Sequence, residues 1–84
     1  MQDSNSLKKK IIYRAKYRGT KEMDILLSRF VDYHIKTLTL KDLETLYDFL
    51  EYEDEDIYNF YQGNDTKNLI QKNKFFKLLK EFKI

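Results

Sequence analysis

The sequence predicts an all-α fold, a compact bundle of four to five short antiparallel helices. Three observations lead there. Apolar residues recur every three or four positions in several segments, the spacing that lines one face of an α-helix. The chain has no proline, no alternating run rich in valine, isoleucine and threonine, and no Asn-Gly hairpin signal. The breaks between the periodic segments are short, which sets successive helices side by side and antiparallel.

The first helix is expected over residues 7–17, where Leu7, Ile11, Ile12 and Ala15 keep helical spacing. Asn5 or Ser6 caps it, because a short side-chain oxygen accepts a free first-turn N–H. Residues 1–6 are polar and are expected to be a flexible lead into one domain spanning residues 1–84. Gly19 is expected to end the helix in the left-handed conformation that glycine reaches without a Cβ clash. The second helix spans residues 21–35, with Thr20 as N-cap and Glu22 and Asp24 in a first turn that favours carboxylates. Met23, Leu26, Leu27, Phe30, Val31 and His34 form its inner stripe, while Ile25 falls on the opposite side. His34 reads as a helix-end residue, since no base or nucleophile accompanies it in sequence.

Thr37-Leu38-Thr39 is a connector, and Thr39-Leu40-Lys41-Asp42 approximates a capping box. A third helix runs to about residue 51 with Leu40, Leu43, Leu46, Tyr47 and Leu50 inward. Asp54 or a neighbour caps a short fourth helix that turns Ile57, Phe60 and Tyr61 inward. Gly63-Asn64-Asp65 breaks the chain. Asp65 then caps a fifth helix reaching the C-terminus, apolar at Leu69, Phe75, Leu78, Leu79 and Phe82 and prone to fray at its end.

Composition excludes most chemistry. With 84 residues there is one small core, to which 13 aromatics contribute large buried areas. No cysteine means no disulfide, no thiolate metal site and no cysteine nucleophile; one histidine, His34, rules out a multi-histidine site. The acidic run Glu51-Tyr52-Glu53-Asp54-Glu55-Asp56 fails as a calcium loop, because Asn59 stands where glycine is needed and Asp65 where glutamate is needed. There is no glycine-rich phosphate loop and no dinucleotide fingerprint. A binding or assembly module is therefore expected rather than an enzyme. No apolar run has membrane-spanning length and no signal-peptide core is present, so the expected location is cytoplasmic.

Charge is unevenly spread around a net +2. Residues 1–22 hold seven Lys/Arg against Asp3 and Glu22, residues 42–65 hold nine Asp/Glu and no cation, and residues 67–84 hold six Lys against Glu81. Either the basic ends neutralise the acidic middle, or Lys8, Lys9, Lys10, Arg14 and Lys16 form a basic face for nucleic acid or the ribosome. A helical protein–protein adaptor is a further alternative.

The stretch Lys16-Tyr17-Arg18-Gly19-Thr20-Lys21-Glu22-Met23-Asp24 joins the first two helices and carries Arg-Gly-x-x-Glu. Alone this is a weak signal; its setting makes it specific. Tyr13-Arg14-Ala15-Lys16 precedes it, and Ile25-Leu26-Leu27, Arg29-Phe30, Leu46-Tyr47, Leu50-Glu51 and Asp54-Glu55-Asp56-Ile57-Tyr58-Asn59-Phe60 follow in order. The set resembles the small succinate dehydrogenase assembly factors that promote covalent flavinylation, over about residues 7–62, with the fifth helix matching only in kind. The resemblance implies a helical bundle that binds the flavoprotein subunit of succinate dehydrogenase, and in bacteria that of fumarate reductase. It also implies assistance to the covalent attachment of FAD to a histidine of that subunit. It places the functional surface at Arg18, Gly19 and Glu22, to which Arg14, Asp24 and Ile25 are added as neighbouring partner contacts. Thr20 departs from members with Met there, and Phe60 from members with Trp.

On physical grounds Gly19 would allow a tight turn and close approach of a partner. Arg18 would make a forked pair with a partner carboxylate or bond to carbonyls, and Glu22 would accept from partner donors or orient Arg18. The plain alternative is a surface Arg18–Glu22 ion pair. No stable FAD complex is expected, since the flavin is attached to the partner.

Overall fold

The computed structural model describes residues 3–82. Within them the chain forms five α-helices, two 3-10 turns and no strand: α1 (Ser4–Lys16), α2 (Lys21–His34), a turn at Ile35–Thr37, α3 (Leu40–Phe49), α4 (Asp54–Tyr61), a turn at Leu69–Gln71 and α5 (Lys74–Glu81). The all-α expectation holds. Met1 and Gln2 of the expected flexible lead, and Lys83 and Ile84 of the expected C-terminal helix end, lie outside the described residues.

Helix α1 begins three residues before the expected boundary. Asp3, not Asn5 or Ser6, is the cap, its carboxylate accepting from Ser6 N at 2.7 Å. The helix stops at Lys16 with Tyr17 as C-cap, and the left-handed conformation expected at Gly19 is absent: Gly63 is the only described glycine with positive φ. The expected caps of α2 and α3 are present, Thr20 accepting from Met23 N at 3.3 Å and Thr39 from Asp42 N at 3.2 Å. The inner stripe of α2 is buried from Met23 to Val31, with His34 half-buried at its end against the edge of Phe30.

Helix α3 is shorter than expected and differs at both ends. Leu40 stays 45% exposed, and Phe49, absent from the expected inner face, is fully buried. Helix α4 ends in a Schellman motif: Gly63 at φ 100° donates to Phe60 O at 2.9 Å, and Asn64 donates to Asn59 O at 2.9 Å.

The expected continuous fifth helix is split. Asp65 holds the 3-10 turn instead, accepting from Leu69 N at 2.6 Å, and Asn68 at φ 54° reverses the backbone there. Helix α5 takes its cap from Asn73, whose Oδ1 accepts from Phe75 N at 2.9 Å while Nδ2 donates to Thr45 O at 2.9 Å, tying α5 to α3.

Helix α1 packs against α2 and α3, and α5 packs against α3 and α4. Five phenylalanines fill the centre. Phe49 and Phe76 meet edge to face at 4.8 Å, Phe60 and Phe76 at 5.0 Å, and Phe30 meets Phe75 at 6.3 Å and Phe49 at 5.8 Å.

The uneven charge resolves in this packing. Arg14 pairs with Glu51, Arg18 with Asp54, Lys67 with Asp56 and Lys74 with Asp42. Each ion pair joins a cation from one end of the chain to a carboxylate of the acidic middle. The ends thus neutralise four of the nine carboxylates of the middle, and Arg14 is taken from the basic face of the nucleic-acid alternative.

Candidate functional site

The connection between α1 and α2 lies over the gap between the end of α3 and the start of α4, and Arg18 fastens it there. Its side chain is only 9% exposed. Nε donates to Asp54 Oδ1 at 2.6 Å, one terminal nitrogen to Leu50 O at 2.8 Å and Arg14 O at 3.4 Å, and the other to Tyr52 O at 3.0 Å. The last carbonyls of a helix lack intrahelical donors and carry the negative end of its dipole. The planar guanidinium is placed to satisfy such carbonyls while holding the first carboxylate of the next helix.

Two carboxylates then hold successive amides of the connection. Asp24, in the first turn of α2, accepts from Arg18 N at 2.5 Å. Asp54, in the first turn of α4, accepts from Gly19 N at 2.9 Å with the oxygen Arg18 leaves free. Space rather than φ favours glycine at position 19: a Cβ there would lie 3.3 Å from Asp54 Oδ2, so the carboxylate would have to give by a few tenths of an ångström. That carboxylate is held by both Arg18 and the Gly19 amide, so it has little freedom to withdraw.

The expected site residues therefore come together in different settings. Arg18 points inward and pairs with Asp54; the surface pair with Glu22 is not formed. Glu22 is exposed and makes no hydrogen bond or ion pair among the described residues. Asp24 is half-buried, and Ile25 is 41% exposed on the outer side of α2. Arg14 bridges to Glu51 at 3.2 Å with its guanidinium 5.4 Å from the centre of the Tyr47 ring.

Gly19 stands between two grooves. One, of about 380 Å³, runs along Tyr13, Tyr17, Leu50 and Tyr52. Tyr13 and Tyr17 are each 64% exposed, with ring centres 4.6 Å apart. The other, of about 450 Å³, is mostly apolar, floored by Met23 and Tyr58 and edged by Glu22 and Glu55. The cap position of α4 falls to Glu53, which makes no side-chain cap bond, and Asp54, expected as a cap, holds Arg18 and Gly19 instead; sequence reasoning missed that role because these partners lie 36 and 35 residues away. It also missed Tyr17 and Tyr58; a lone exposed tyrosine has no periodic signal. Among the described residues no group of three or more His, Cys, Asp or Glu could hold a metal ion, and no helix is long and apolar enough to cross a membrane.

A family model described as flavinator of succinate dehydrogenase matches residues 9–83. The match carries through α5, correcting the expectation that the likeness fades after residue 62. The chain is 36% identical over 72 residues to succinate dehydrogenase assembly factor 2, mitochondrial, of Lodderomyces elongisporus, covering 84% of this chain and 44% of that protein. It is 30% identical over 65 residues to the protein of that name from Yarrowia lipolytica, covering 77% and 45%, and 35% identical over 51 residues to that from Komagataella phaffii, covering 61% and 27%. The chain thus spans less than half the length of these curated relatives. Their names place them in the mitochondrion, which overturns the expectation of a cytoplasmic location.

Proposed function

The chain belongs to the family described as flavinator of succinate dehydrogenase, and from that premise we propose that it is an assembly factor promoting covalent attachment of FAD to the flavoprotein subunit of that enzyme. The flavoprotein of fumarate reductase is the second client proposed. The observation that carries the reading at the level of residues is the locked Arg18–Gly19 turn, which leaves Gly19 at the surface between two grooves and Glu22 exposed at one of them.

The arrangement suits docking. A tight, side-chain-free turn admits close approach of another chain, and the turn is fixed before the partner arrives, so little ordering opposes binding. Arg18 acts as a positioning residue, while Glu22 contacts the partner. The factor forms no bond itself: the flavin and its target histidine supply that chemistry, and the factor holds the flavoprotein in a competent arrangement. The flavin stays with the partner, and the isolated chain forms no stable FAD complex.

The test is co-expression with the cognate flavoprotein subunit in cells lacking their own factor. Covalent flavin is read as fluorescence of that subunit in a denaturing gel. Fluorescence that depends on the chain and is lost with Glu22→Ala is the expected result. Equal fluorescence with and without the chain would overturn the proposal.

A further inference from the structure

Resting on that reading, we propose that the groove beside Gly19 takes a segment of the flavoprotein bearing an arginine or lysine, its aliphatic stem against Met23 and Tyr58 and its charge met by Glu22 and Glu55.

The groove's shape and charge lead to this occupant. Its walls are mostly apolar, and Tyr58 remains 39% exposed on them. Its charged lining is Glu22, Asp54 and Glu55, with no cation. Asp54 is neutralised by Arg18, whereas Glu22 and Glu55 have no hydrogen-bond or ion-pair partner among the described residues. The ordinary reason for carboxylates here is the positive end of each helix, but that end amounts to about half a unit charge. In α2 Asp24 shares that end, whereas in α4 the charges of Asp54 and Asp56 are taken up by Arg18 and Lys67. Glu22 and Glu55 thus keep acceptor oxygens free of hydrogen bonds and ion pairs beside an apolar groove, with Lys67 near enough to Glu55 only to feel its charge. Arginine and lysine carry an apolar stem and a charged head, the combination such a groove accommodates. Of the roles expected from the motif, this keeps Glu22 as an acceptor from partner donors and drops the partner carboxylate for Arg18, which is bonded instead to Asp54 and to the Leu50 and Tyr52 carbonyls.

The test measures equilibrium binding of the purified chain to the separately produced flavoprotein subunit, with covalent flavin followed in parallel. Glu55→Lys and Glu22→Lys are each expected to weaken binding by about tenfold or more, as reversal of a close interfacial charge does. Glu55→Gln should weaken it less, and Tyr58→Ala should also weaken it. Glu53→Lys is the control: Glu53 is exposed, makes no side-chain cap bond and does not line the groove. It should change affinity by less than about twofold. Unchanged affinity in Glu55→Lys, with the native chain still supporting flavinylation, would overturn this inference and leave the proposed function standing. Equal weakening by Glu53→Lys would also overturn it, reducing the effect to a general field. Failure of the native chain both to bind the flavoprotein and to support its flavinylation would overturn the functional reading, and this inference with it.

Discussion

Arg18 and Glu22 sit four positions apart in one motif, yet they face opposite ways, and their substitutions should separate stability from function. Arg18→Ala removes a largely buried cation from Asp54 and from two carbonyls beyond α3. It should destabilise the fold by about 2–4 kcal/mol, as breaking a desolvated pair does. Arg18→Lys should recover only part of this, because an ammonium cannot span the same forked set of acceptors. Glu22→Ala should stay within about 0.5 kcal/mol of the native stability, since it removes no contact within the chain. Urea denaturation measures all three, and a Glu22→Ala protein as unstable as Arg18→Ala would refute the division of roles. Gly19→Ala is expected to fall between them, costing about 1 kcal/mol, because its Cβ presses on a carboxylate that Arg18 holds in place. The thermal midpoint of Asp54→Ala/Gly19→Ala, compared with that of Asp54→Ala, tests this cause: with Asp54 shortened, the glycine substitution should cost almost nothing further.

Among the elements, α5 shows how a short helix is held by tertiary contacts rather than by its own length. Eight residues form no stable helix in isolation. Phe75, Phe76 and Leu79 are fully buried, and Asn73 both caps the helix and reaches Thr45 on α3. Asn73→Ala leaves Phe75 N and Thr45 O without these partners in a buried setting. It should cost about 1–3 kcal/mol in urea denaturation. Asn73→Asp keeps the cap acceptor but loses the donor to Thr45, and should recover only part of the loss. The split between the 3-10 turn and α5 was hidden in the sequence, since Leu69 and Phe75 to Phe82 also fit one continuous amphipathic stripe. The left-handed Asn68 and the Asn73 cap break that stripe, and both are common surface residue types whose role depends on the backbone around them.

For the whole molecule, ion pairing and burial set the pH dependence. Burial holds His34 below its ordinary pKa of 6.5, so its folded form resists protonation. The unfolded chain then binds the extra proton first, and stability should be full above pH 6.5 and decline as pH falls below it. Asp42 is held below its ordinary 3.8, first by the hydrogen bond from Lys74. Its contribution is present above pH 3.8 and is lost as pH falls through its lower folded value. Thermal midpoints between pH 7.5 and 3 should show two declines. His34→Gln should flatten the first, and Asp42→Asn should reduce the second. A native profile flat between pH 7 and 5 would refute the assignment to His34.

What the sequence determined by itself is local. Helical spacing placed α1 to α4, and Thr20 and Thr39 declared their caps, because each of these signals lies within a few residues of its cause; the family was legible because the order of residues from Tyr13 to Phe60 is read along the chain without any contact between them. Exposure of Ile25 and burial of the α2 stripe were legible for the same reason. What only the tertiary structure decided was the direction of charge. Whether Arg18 meets a partner, Glu22 or Asp54 depends on which end of which helix lies beneath the connection. That is set by packing of the core, which brings Leu50 and Asp54, more than thirty residues along the chain, beneath Arg18.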